Sequence, residues 1–173
     1  MKKFYLFLVM TIGMISLQSC TREEIIQNNN IEVQVIELTN VNFTPQNDFR
    51  RRFLFNPPIL NNDMLLVYRL DGVTSNGNDI WRQMPQVYFE PIGGVVQEIE
   101  YNFDFTINDV DIFMLSTTNV ANLPTDWTQN QVFRVVILPG YRVRSAAQVN
   151  FNDFDAVVKS YNLDLSKMKK VSM

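Results

Sequence analysis

From Val95 to Ile107 hydrophobic and polar residues alternate almost without a break. Ile99, Tyr101, Phe103 and Phe105 fall on one side, and Glu100, Asn102 and Asp104 on the other. A period of two over that length predicts a β-strand with one buried face. Val110 to Leu115 reads as the next strand. Ile31 to Thr39 alternates through Val33 and Val35, then shifts phase to Ile36 and Leu38, which predicts a bulge or a two-sided strand. Val41 to Thr44 extends it as far as Pro45. Phe49 to Phe55 follows and stops at Asn56-Pro57-Pro58, since proline cannot donate to a ladder.

Met64 to Leu70 and Val132 to Leu138 are near-continuous apolar runs, the pattern of strands covered on both faces. The second stops at Pro139-Gly140. Asp71-Gly72 and Asn76-Gly77 are turn dipeptides, and Asn-Gly is the strongest short hairpin signal. Asp79 to Met84 then reads as the returning strand, carrying Trp81. Gln86 to Glu90 is another short strand, closed by Pro91 and Gly93-Gly94. Ser116 to Asn130 is a polar loop containing Pro124 and Trp127.

The period changes near the C-terminus. Asn152 is an expected N-cap, with Phe154, Val157, Val158 and Tyr161 at helical spacing and Asp153 and Asp155 in the first turn. One short amphipathic helix is predicted, and the lysine-rich residues 166–173 are expected to be a disordered basic tail. Seven to nine short strands followed by one helix make a mainly β chain. An antiparallel β-sandwich-like domain over residues 31–165 is expected, in preference to a closed barrel.

At the other end, Met1-Lys2-Lys3 precedes an apolar run from Phe4 to Leu17. This is the layout of a secretory signal, and the run falls short of the roughly 20 apolar residues a membrane span needs. Leu17-Gln18-Ser19-Cys20 resembles the lipobox of bacterial lipoproteins. The resemblance implies removal of residues 1–19, lipidation of Cys20, and attachment to a membrane through the lipid anchor rather than by spanning. Two or three acyl chains hold where one binds only marginally. Cys20 is the only cysteine, which suits a lipid-bearing residue better than a free thiol in an exported protein. Residues 20–30, with three consecutive asparagines, read as a flexible linker. Arg22-Glu23-Glu24 resembles the surface-export signal of Bacteroidota lipoproteins, which more often begins with lysine. An outer-membrane lipoprotein is expected, facing the periplasm or the cell surface.

Removing residues 1–19 takes two lysines and no acid, so the net charge moves from −3 to −5. A mildly acidic chain is a poor partner for nucleic acid. No disulfide can form within it, so packing alone must hold the fold. There is no histidine, which excludes a Ser-His-Asp triad, a Cys-His pair and any histidine metal site. No glycine-rich phosphate loop is present, and no cofactor is implied.

What remains is carboxylate and aromatic chemistry. Asp109 with Asp111, and Glu98 with Glu100, sit two apart and so share a strand face, as a two-carboxylate hydrolase would need. Alternating acids also describe a solvated strand face, and Asp153 and Asp155 suit helix capping. Asp71, Asn76, Asn78 and Asp79 place several hard oxygens close together, the ligand type of calcium, but also ordinary turn chemistry. Trp81 and Trp127 could stack on sugars; in an all-β domain, burial is the alternative. Arg50-Arg51-Arg52 could meet an anionic partner, yet on a strand the middle arginine points opposite to its neighbours. A solvated edge that resists strand-to-strand aggregation is the other reading.

Asn56-Pro57-Pro58, Met64 to Leu70, Gly77 to Arg82, Tyr101 to Phe105 and Trp127 to Val136 together resemble a group of small uncharacterised lipoproteins of Bacteroidota. Some members carry a collagen-like Gly-X-Y spacer between anchor and domain; here the asparagine linker stands in its place. The resemblance implies a cell-envelope location and no activity. The expected function is thus a non-enzymatic binding or structural module with a protein or glycan partner. A carbohydrate-binding module using exposed Trp81 and Trp127 is the alternative, and a carboxylate-dependent hydrolase comes third.

Overall fold

Residues 33–145 and 148–173 are described by the computed structural model. The expected signal at 1–19, Cys20 and the linker at 20–30 lie outside the described residues. The described residues belong to one compact unit.

Among the described residues nine strands form two sheets: β1 (Gln34–Val41), β2 (Arg50–Leu54), β3 (Met64–Val73), β4 (Asp79–Gln83), β5 (Gln86–Ile92), β6 (Val95–Phe105), β7 (Asp109–Ser116), β8 (Gln131–Leu138) and β9 (Lys169–Ser172). The first sheet has the order β4-β3-β8-β1-β9 and the second β2-β7-β6-β5. Every pairing is antiparallel except β1 with β9. The sheets pack face to face as a β-sandwich, as the alternation predicted. Ile36, Leu38, Leu65, Val67, Phe133, Val135 and Ile137 of the first sheet meet Ile99, Tyr101, Val110, Ile112 and Met114 of the second in one core.

The other face of the first sheet is covered as well. Val35, Leu66, Tyr68, Val136 and Leu138 pack against Phe154, Val157 and Tyr161 of the C-terminal segment. That two-sided cover is why β3 and β8 read as unbroken apolar runs, and why β1 changes phase: Val35 and Ile36 are buried on opposite faces. Of the three α-helices among the described residues, α1 (Thr125–Thr128) and α2 (Gly140–Ser145) are short, and α3 (Phe154–Tyr161) is the amphipathic one expected. Its N-cap is Asp153 rather than Asn152; the Asp153 carboxylate accepts from the Ala156 N–H at 3.1 Å. The Tyr68 hydroxyl donates to the Phe151 carbonyl at 2.6 Å, tying this segment to the sheet.

Three expectations are corrected. Residues 166–173 are not a disordered tail: Lys169–Ser172 is β9, parallel to β1, with Lys170 opposite Glu37. Lysine is a poor strand former, but this strand forms an edge whose lysines face solvent or a buried acid. β5 continues through Pro91 to Ile92, which an edge strand permits because one side of it needs no donors. Gly140 opens a helix where a stop was expected; a Cβ there would lie 2.0 Å from the Asn62 carbonyl oxygen, so only glycine fits.

Candidate functional site

Among the described residues polar chemistry gathers between the sheets, outside the first sheet and on the outer face of the second. The inner cluster centres on Arg69, in β3, which alternation turns toward the second sheet. Its side chain is buried, with Nε donating to the Gln131 Oε1 at 2.9 Å and Nη1 to Asp71 at 3.2 Å and to the Tyr88 hydroxyl at 3.1 Å. The guanidinium lies 4.2 Å from the Tyr101 ring centroid and 5.8 Å from that of Trp127. Asp71 also accepts from the Tyr88 hydroxyl at 2.6 Å and from Arg82 Nε at 2.5 Å. Burial works to raise the Asp71 carboxyl, but hydrogen bonds from Tyr88 and Arg82 and both guanidinium charges outweigh it and hold it below the ordinary range. Burial, reinforced by Asp71, pushes the Tyr88 phenol up to about 12. This network links three strands of one sheet to β5 of the other, with every carboxylate oxygen of Asp71 occupied.

Trp127 belongs to this cluster. It stacks on Tyr101 (25° between planes, centroids 6.4 Å apart), meets Tyr88 edge-on, and its carbonyl accepts from the Tyr101 hydroxyl. Trp81 sits on the opposite face of the first sheet, tilted against Phe154 at 5.9 Å with the Arg134 guanidinium 3.9 Å from its ring centroid. The two tryptophans therefore form no shared platform, and both are half-buried.

The outer cluster is built on one row of the first sheet. Glu37 lies opposite Arg134 on one side and Lys170 on the other, and it takes both, at 3.0 and 2.9 Å. Burial alone would raise its carboxyl; the hydrogen bonds and charges of Lys170 and Arg134 prevail and lower it. Beside this row Asp79, Trp81, Asn152, Asp153, Phe154 and Asp155 line an open groove of about 220 Å³. Two of its acids already have partners: Asp153 caps α3, and Asp79 lies 4.0 Å from Arg134.

Asp109, Asp111 and Glu100 are also partnered within the fold. Asp109 and Asp111 do share a face of β7; on β2, Arg52 lies opposite Asp111, with Arg50 opposite Phe113 on the same face. Arg52 grips Asp111 through two nitrogens at 2.9 and 2.6 Å, and Arg50 reaches it at 3.2 Å. Those hydrogen bonds, Arg52 foremost, hold the buried Asp111 carboxyl below its ordinary range. Arg51 points to the other face, as a strand requires, so the three arginines make no flush patch. Glu100 accepts from Asn102 at 2.7 Å. The four oxygen donors weighed for calcium are divided: Asp71 is turned inward onto arginines, while Asn76 and Asn78 lie in the exposed β3–β4 turn, where the Asn78 N–H donates to Thr74 Oγ1. Among the described residues no cluster of three or more acidic, cysteine or histidine side chains is placed to hold a metal.

Sequence reasoning missed the Arg69 cluster. The one available signal was Arg69 itself, a lone charge within an apolar strand that must find a buried partner. No protein-family model, curated protein or solved structure matches the chain at a significant level.

Proposed function

We propose that this chain is a lipid-anchored cell-envelope protein, held at the outer membrane through Cys20, whose β-sandwich is a non-enzymatic binding or structural module. The observation that carries the reading is the N-terminal sequence: two lysines, an apolar run from Phe4 to Leu17, and Leu17-Gln18-Ser19 before the single cysteine. The resemblance of residues 56–58, 64–70, 77–82, 101–105 and 127–136 to small lipoproteins of Bacteroidota supports the same reading. The site geometry supports the non-enzymatic half. Asp71, Asp111 and Glu37, the most buried acids, are each held by two cations and therefore locked in the charged form, whereas acid–base catalysis wants a carboxyl poised near working pH. No described helix is long and apolar enough to cross a membrane.

Fractionation tests the reading. The wild-type chain should sediment with envelope membranes and leave them only with detergent, and the Cys20→Ala chain should appear in the soluble fraction. A Cys20→Ala chain that stays membrane-bound to the same extent overturns it. The glycan reading rests on the groove at Trp81 alone, where an aromatic ring adjoins an amide and several carboxylates. There, Trp81→Ala should abolish glycan retention on affinity gels while Trp127→Ala affects only stability.

A further inference from the structure

Both ends of the sandwich expose apolar side chains, and one of them is the end at which the chain enters. Gln34 of β1 and Leu65 of β3 pair with the same residue, Ile137 of β8. The first strand therefore begins level with the start of β3, where the loop of residues 55–63 ends. That loop is joined to the β6–β7 turn by two backbone hydrogen bonds, Phe55 N–H to the Asn108 carbonyl at 2.7 Å and Ile59 N–H to the Ile107 carbonyl at 2.8 Å. Together they present Leu54, Leu60, Phe105 and Ile107, between 42 and 65 % exposed. Tyr141 is exposed beside them, since Gly140 packs on Asn62 of the same loop. Lys169 adds a cation, its Nζ 6.0 Å from the Phe53 ring. Of the acids at this end, Asp63 accepts from the Leu60 N–H and Asp109 from the Thr106 hydroxyl, and Asp104 lies 3.5 Å from Arg50 on the outer face of the second sheet.

We propose that this end of the domain rests on the phospholipid surface, with Leu54, Leu60, Phe105 and Ile107 entering the headgroup region. The inference builds on the lipid anchor at Cys20. Exposed aliphatic and aromatic side chains with a tyrosine and a lysine at the margin are the composition of an interfacial contact. Val33 is thirteen residues from Cys20, a distance of at most about 45 Å when fully extended. The β5–β6 hairpin also exposes apolar residues, Val95 and Val96, but at the far end of β6, about 33 Å away over its eleven residues. Reaching the membrane with that end would stretch the connection nearly to its limit. The near end needs almost none of it.

The anchored chain has no other thiol, so one introduced cysteine gives one label. Leu60→Cys, Ile107→Cys and Val96→Cys would each be labelled with a fluorophore on the acylated full-length chain, in phosphatidylethanolamine–phosphatidylglycerol vesicles. We expect the labels at 60 and 107 to be quenched by nitroxide-bearing lipid and to be roughly tenfold less accessible to iodide than the label at 96. Circular dichroism confirms that each variant is folded, and two independent near-end sites guard against a local defect. Labels at 60 and 107 as open to iodide as that at 96, on chains that float with the vesicles, overturn the docking and leave the anchor standing. Chains that do not float overturn the anchor itself. Shielding at 60 and 107 in whole cells but not in vesicles also overturns the lipid contact, and assigns this end to a protein partner.

Discussion

Both faces of β8 are buried, whereas β5 keeps every second residue in solvent. The difference extends to whole sheets. The five-stranded sheet lies between the second sheet and the C-terminal segment, and its central strands carry valine, isoleucine and leucine on both sides. Among the described residues no segment covers the outer face of the four-stranded sheet in this way. There Arg50 and Arg52 face Asp109 and Asp111, and Val87, Phe89 and Leu115 stand exposed. The comparison teaches where stability and freedom are divided: the first sheet sets the fold, and the second offers surface that can change with little cost to folding.

Substitutions that test the division should differ several-fold. Phe133→Ala, in the core shared by both sheets, should lower unfolding free energy by about 3–5 kcal/mol, read from the midpoint of urea denaturation. Arg69→Ala should cost about 3 kcal/mol, because Asp71 is left buried with fewer partners. A double change that also replaces Asp71 with Asn should recover part of the loss, whereas purely apolar packing by the arginine stem would leave the two costs additive. Val157→Ala, under the outer face of the first sheet, should cost about 1.5 kcal/mol. Phe89→Ser, on the bare face, should change stability by less than about 0.5 kcal/mol. A cost for Phe89→Ser equal to that for Val157→Ala would erase the distinction between the sheets.

Acid should act on both sheets. Glu37, Asp71 and Asp111 are all held below the ordinary carboxylate range in the folded protein. Each therefore contributes stability that is present above its unfolded pKa of about 4, and that is lost as pH falls through the lowered folded value. The urea midpoint should hold between pH 7 and 5 and then fall below pH 4. Glu37→Gln should weaken that acid dependence; a midpoint equally acid-sensitive in the variant would remove Glu37 from the account.

Much of the fold was legible because burial imposes period. β6 shows strict alternation with one face buried, and β3 and β8 show none with both faces buried. The β9 strand was not legible, since Lys169 and Lys170 have no apolar pattern and pair only because β1 offers an open edge and Glu37 an anion. The site was less legible than the fold. Two tryptophans and several acids were visible in the chain, but their partners come from strands distant in sequence: Arg69 meets Gln131, and Arg52 meets Asp111. No spacing rule brings such residues together; sheet order does.

The anchoring on which the functional reading stands is tested most directly by the intact mass of the protein extracted from native membranes. The account predicts a chain that starts at Cys20, lacks residues 1–19 and carries the added mass of two or three acyl chains. A chain with residues 1–19 still attached and an unmodified Cys20 thiol would contradict it.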